Sequence, residues 1–166
     1  MDDDPGFSDD GRDLCRYRCE SRAYQALQAS GLCDQGIVPR FYGVFENIDP
    51  SMPMLGSSLE ALFKEDKKRP CAILLEYLPG SKCFSSETFS PELFEGAIAG
   101  LEKIHAAGVI HNDSHPKNVL VVEGEGGILN LDDGLFGLTL MCQLCSLRTV
   151  QAGSLIWIWM EKLSGR

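Results

Sequence analysis

The stretch that most constrains this chain is His111-Asn112-Asp113-Ser114-His115-Pro116-Lys117-Asn118. It is a polar segment set between apolar ones, so the fold must bring a loop out between packed elements. Ser90-Pro91-Glu92 opens a helix ahead of it. Ser90 suits the N-cap, Pro91 the first helical position, and Glu92 complements the helix dipole. Leu93, Ala97, Ile98, Leu101, Ile104 and His105 form one apolar stripe, and Gly108 is a natural stop. A short apolar Val109-Ile110 leads into the loop. Beyond it, Val119–Val122 and Ile128–Leu131 read as short strands joined by a turn rich in glycine (Gly124, Gly126, Gly127). Asp132-Asp133-Gly134 follows the second strand.

Upstream, Arg16 to Ser30 has helical periodicity through Tyr17, Ala23, Tyr24, Ala26 and Leu27, with Gly31 as its C-terminal stop. Val38–Phe45 is rich in β-branched and aromatic residues and predicts a strand. Residues 47–70 read mostly as loop, with a short helix near Leu59–Phe63. Cys71–Leu78 is a continuous apolar run closed by Pro79-Gly80, the pattern of a strand buried on both faces. Residues 1–15 read as an acidic, disordered tail, five net negative charges falling within residues 1–13. Residues 135–166 are apolar and unlike the rest, without clear amphipathicity or turn logic.

The 166 residues carry a formal net charge of −9, which speaks against nucleic-acid binding through a basic face. No apolar stretch approaches the ~20 residues of a membrane helix, and the start of the chain lacks secretory-signal character. A cytoplasmic or nuclear setting is therefore expected. The seven cysteines (15, 19, 33, 71, 83, 142, 145) are then most simply thiols. Cys142-x-x-Cys145 has zinc-ligand spacing that His111 and His115 could complete, but free thiols packed in a core are the simpler reading.

An Asp, an Asn five residues on, and a second Asp after a β-hairpin are the parts that hold a divalent cation and align a hydroxyl for phosphoryl transfer. In residue type, order and spacing these parts resemble the protein-kinase-like superfamily. His111-x-Asp113 with Asn118 is similar to its catalytic loop, and Asp132-x-Gly134 to its metal motif. Ala99–His111 resembles the helix entering that loop. Leu74–Gly80 resembles the adenine-side strand and hinge, and Glu20, within Cys19–Tyr24, the glutamate of the regulatory helix. His115-Pro116 is similar to the loop of small-molecule kinases of the aminoglycoside and choline types, and of fungal-type kinase-like proteins.

The resemblance implies an α+β, protein-kinase-like fold that is incomplete: part of the small lobe and hinge over 16–80, and the first half of the large lobe over 81–134. It implies ATP and Mg²⁺ as cofactors and a hydroxyl acceptor, either a protein or a small molecule. Asp113 would align or deprotonate the acceptor, with His111 bracing the loop. Asn118 and Asp132 would hold Mg²⁺. Glu76, Tyr77 and Leu78 would line the adenine side, with Glu20 in the small lobe. The chain departs from the pattern in three parts. The first lysine is Lys64, well after Glu20; no G-x-G-x-x-G loop precedes it; and Asp133 replaces an apolar residue. The alternative is therefore an impaired kinase-like domain or fragment that serves as a binding module.

Overall fold

The computed structural model describes residues 5–52, 61, 63, 68–110, 115–122, 150–151 and 156–161. Among them are two α-helices, α1 (Arg16–Ala29) and α2 (Pro91–Ala106). The strands are β1 (Phe41–Phe45), β2 (Cys71–Glu76), β3 (Lys82–Cys83), β4 (Leu120–Val121), β5 (Val150–Gln151) and β6 (Ile156–Glu161). The fold class is α+β, with a four-stranded sheet ordered β1-β2-β6-β5 and a two-stranded sheet β3-β4. The chain divides into two compact units. One comprises Met1–Arg22, Tyr42–Leu75 and Leu147–Arg166, the other Ala23–Phe41 and Glu76–Ser146.

Helix α1 forms where the periodicity places it. Tyr17, Tyr24 and Leu27 are buried, and Ser21 completes their stripe. A buried serine costs little there because its Oγ donates to the Arg18 carbonyl at 3.1 Å. Both helices end in the same way. The Leu32 amide donates to the Leu27 carbonyl and Gly31 to Gln28. Val109 donates to Ile104 and Gly108 to His105. These paired bonds are Schellman closures, and they need a left-handed residue, met by Gly31 at φ 75° and Gly108 at φ 79°. In each case the residue after the glycine is buried, so the turn returns the chain to the core.

At the start of α2, Ser90 has extended backbone and its Oγ accepts from the Leu93 amide at 3.1 Å. The helix buries Gly100 and Ile104, with Leu93, Ala97 and Leu101 at the margin. Ile98 and His105, expected on the same stripe, face solvent instead. They lie on one side of Ile104, each roughly a third of a turn round the helix from it.

Several other expectations shift. The strand expected from Val38 begins at Phe41, and Val38, though buried, precedes it. In the short apolar pair that leads into the loop, Val109 is buried while Ile110 is 76% exposed. Ala61 and Phe63 are helical, while the rest of Leu59–Phe63 lies outside the described residues. In β2, the adjacent Ala72 and Ile73 are both buried, so both faces of the strand are covered as the continuous apolar run requires. The 135–166 segment supplies β5 and β6, paired antiparallel with Val150 opposite Ile158 and Gln151 opposite Trp157. None of Cys15, Cys19, Cys33, Cys71 and Cys83 forms a disulfide, whereas Cys142 and Cys145 lie outside the described residues. No helix among the described residues is long and apolar enough to cross a membrane.

The 1–15 segment corrects its expectation most clearly. Its described part, from Pro5, is a folded though largely exposed turn rather than a disordered tail. Leu14 donates to the Gly6 carbonyl at 2.9 Å and Ser8 to Arg12 at 2.8 Å, and a bridge joins Phe7 to Asp13. Asp13 anchors it. Arg18 donates to both carboxylate oxygens (Nε to Oδ2 2.9 Å, Nη2 to Oδ1 2.8 Å), and Arg22 reaches Oδ2 at 3.3 Å. Asp13 Oδ1 also accepts the Cys15 amide, where α1 begins. The Arg18 hydrogen bonds, seconded by the Cys15 amide, hold the Asp13 carboxyl at about 2 against an ordinary 3.8. Composition alone could not reveal this, because the partners of Asp13 lie on the next helix.

These local anchors can be tested. Ser90→Ala should destabilise the protein by about 1 kcal/mol, read as a lower urea midpoint at unchanged slope. Because the folded pKa of Asp13 lies below the unfolded one, its contribution is present above pH 3.8 and lost as pH falls toward about 2. Asp13→Asn should therefore flatten the dependence of Tm on pH in that window, measured by circular dichroism; an unchanged slope would contradict the role given to Asp13.

Candidate functional site

Of the residues singled out by sequence, His111, Asp113 and Asp132 lie outside the described residues, as do Asp133 and Gly134. The end of the loop is described. His115 is exposed, and Pro116–Asn118 form a 3₁₀ turn. Pro116 suits the first position of that turn, where its fixed φ fits and its missing N–H is not needed. The turn closes through the Asn118 amide on the His115 carbonyl (2.8 Å) and the Val119 amide on Pro116 (3.0 Å).

Asn118 is only 2% exposed. Its Oδ1 is buried and accepts no hydrogen bond from the described residues, while the residue makes further interactions. A buried carboxamide oxygen of this kind is a hard donor, and it fits the chemistry of a Mg²⁺ ligand. Asp132, the other expected ligand, adds no geometry because it lies outside the described residues. Among the described residues no three His, Cys, Asp or Glu side chains are grouped to share a metal ion.

The segment expected to be the hinge holds a tight turn. Ser81 donates to the Leu78 carbonyl at 3.4 Å across Pro79-Gly80, with Gly80 at φ 71°. Proline second and a left-handed glycine third is the arrangement of a type II turn. Before it, Glu76 is fastened twice to Arg40. Its amide donates to the Arg40 carbonyl at 2.8 Å, and its Oε2 accepts the Arg40 amide at 3.0 Å. The Glu76 amide and the Leu78 carbonyl are thus already engaged. A base presented to Glu76–Leu78 would have to be read through the remaining groups of this segment.

Sequence reasoning missed β3. It pairs antiparallel with β4, Lys82 opposite Val121 and Cys83 opposite Leu120, and the Phe84 amide extends the ladder to the Val119 carbonyl at 2.9 Å. The strand leaving the hinge is therefore joined to the strand leaving the loop, and β3 lies alongside the 3₁₀ turn. The structure brings Glu76, Tyr77, Leu78, His115 and Asn118 into one unit, while Glu20, half-buried on α1, belongs to the other. Arg40, the partner of Glu76, was also missed, for no local pattern marks a bond across 36 residues.

No family model matches the chain, and no solved structure does. One curated protein, "Serine/threonine-protein kinases drp72" from Corynebacterium efficiens, is 29% identical over 137 residues. The match takes in 78% of this chain and 22% of that protein, so the chain spans about a fifth of its relative's length. The similarity is to a kinase-named protein, and it is distant.

The two-way link at the hinge is testable. Glu76→Ala should remove the acceptor of the Arg40 amide and speed its hydrogen exchange, at a stability cost of about 1 kcal/mol. Glu76→Gln, which keeps an acceptor oxygen, should protect that amide nearly as well as the parent does.

Proposed function

We propose that this chain is part of an ATP- and Mg²⁺-dependent phosphotransferase of the protein-kinase-like type, acting on a hydroxyl acceptor. The observation that carries the reading is the ordered set His111-x-Asp113-x-His115-Pro116-x-Asn118, followed by Asp132 after two apolar segments. The distant similarity to a kinase-named protein supports it, as does the burial of Asn118 beside the strand that leaves the hinge.

In this reading the acceptor oxygen attacks the terminal phosphorus of ATP. An O–P bond forms to the acceptor while the bond to the ADP oxygen breaks. The proton of the hydroxyl passes to the Asp113 carboxylate, whose main contribution is to align the attacking oxygen. Asn118 and Asp132 would hold Mg²⁺, which would supply positive charge to offset that of the phosphates. His111 would brace the loop, and the Glu76–Leu78 segment would receive the adenine. A protein Ser/Thr hydroxyl is the simplest acceptor.

A second reading has its own observation. The chain offers no lysine before Lys64 and no glycine-rich phosphate loop ahead of Glu20. Within these residues that departure favours an impaired kinase-like module that serves to bind a partner.

Titration with a fluorescent ATP analogue, with and without MgCl₂, separates the readings. A phosphotransferase should bind nucleotide more tightly with Mg²⁺, and Asp132→Ala should abolish that enhancement. Asp113→Asn should keep nucleotide binding while phosphate transfer falls by on the order of 10²-fold or more. Binding without turnover, or no nucleotide binding at all, in the parent protein would sink the phosphotransferase reading and favour the second.

A further inference from the structure

The segment before α2 and the outer side of that helix carry an apolar patch which the fold leaves at the surface. Phe89 is 54% exposed, Phe94 48% and Ile98 43%. The half-buried Phe84 ties the aromatic part together. Its ring centroid lies 5.9 Å from Phe89 and 6.4 Å from Phe94, and Phe89 lies 6.1 Å from Phe94. Packed against one another, the rings lose little further freedom when a partner covers them. Phe94 and Ile98 are four residues apart and so lie one above the other on α2. Scattered exposed apolar residues are ordinary, but a contiguous patch of rings and aliphatic carbon is the composition of a binding surface.

The surroundings of the patch say what would cover it. Residues 84–102 contain four glutamates and no lysine or arginine. Glu95 and Glu102, exposed and two turns apart, border the Phe94–Ile98 ridge along one side, and the exposed Glu87 lies in the segment between Phe84 and Phe89. The nearest lysine on the helix, Lys103, points elsewhere, donating to Gln35 Oε1 at 3.3 Å. The patch is therefore apolar at its centre and acidic at its rim. Exposed ring faces attract cations as well.

We propose that this face docks a basic amphipathic segment of a partner protein. Aliphatic side chains of the segment lie on Phe94 and Ile98. Its lysines or arginines reach Glu95 and Glu102 and stack over the faces of Phe89 and Phe94. A helix with apolar residues at three- and four-residue spacing and basic residues beside them has that chemistry. A second copy of this chain does not, because two molecules of formal charge −9 repel.

The test uses a fluorescein-labelled amphipathic helix of Leu and Lys about four turns long, followed by anisotropy. A Lys/Ser peptide of equal charge is the control. The Leu/Lys peptide should bind, and the control should bind on the order of tenfold more weakly. Phe94→Ser/Ile98→Ser should weaken the Leu/Lys peptide by about tenfold. Glu95→Lys/Glu102→Lys should weaken it too and flatten its dependence on salt. Thermal melts verify that each surface variant folds, and one folded variant is enough to decide. Equal binding of both peptides, no binding, or no effect of the folded variants overturns the proposal. So does a wild-type dimer in sedimentation that Phe94→Ser/Ile98→Ser dissolves.

Discussion

The candidate site depends on a ladder two residues deep. Lys82 and Cys83 pair with Val121 and Leu120, and Phe84 adds one more bond to Val119. Beside this ladder, β3 also lies against the 3₁₀ turn that leads into β4. Antiparallel pairing fixes register in steps of one residue, and a slip would reverse which side chains face inward. The buried Val121 and the buried Asn118 just before the ladder resist such a slip. Backbone hydrogen bonds and two buried side chains thus help to set the position of Asn118 relative to Glu76–Leu78.

The second unit reuses one closing device. A left-handed glycine, a carbonyl accepting from five residues on, and an apolar residue returning to the core occur at Gly31 and again at Gly108. The same pair of bonds recurs at Gly36, where Ile37 donates to Leu32 and Gly36 to Cys33. Leu32 is therefore the returning residue of one closure and the acceptor of the next. Each closure turns the chain within a few residues while satisfying carbonyls that would otherwise be orphaned at a helix end.

What the sequence revealed was local. The Ser90 cap, the two glycine stops and the Pro79-Gly80 turn each rest on residues within one turn of each other, and each formed as expected. What it concealed was non-local. The Asp13–Arg18 pair made a folded turn out of an apparently disordered tail. Arg40 found Glu76 across a long intervening stretch, and β3 is too short and too exposed to leave a periodic signal. Strand β6 lies in the apolar run Ile156-Trp157-Ile158-Trp159, and no local pattern says where such a strand pairs. At the candidate site, the order and spacing of the polar residues were legible in the sequence. The burial of Asn118 and the engagement of the Leu78 carbonyl were not, for both depend on how distant segments pack.

The place of β6 has a consequence for how the chain comes to be folded. It lies between β2 and β5, so the sheet begun by β1 and β2 is extended by a strand synthesised after the entire Glu76–Ser146 segment. On a ribosome, the free edge of β2 must wait, its amides and carbonyls unsatisfied by any partner strand, until that segment has emerged. Contacts of such high sequence separation slow folding, and an open apolar edge is the surface on which chains aggregate. The first unit is thus the slower to finish and the one more in need of protection during synthesis, although its earliest residues are made first.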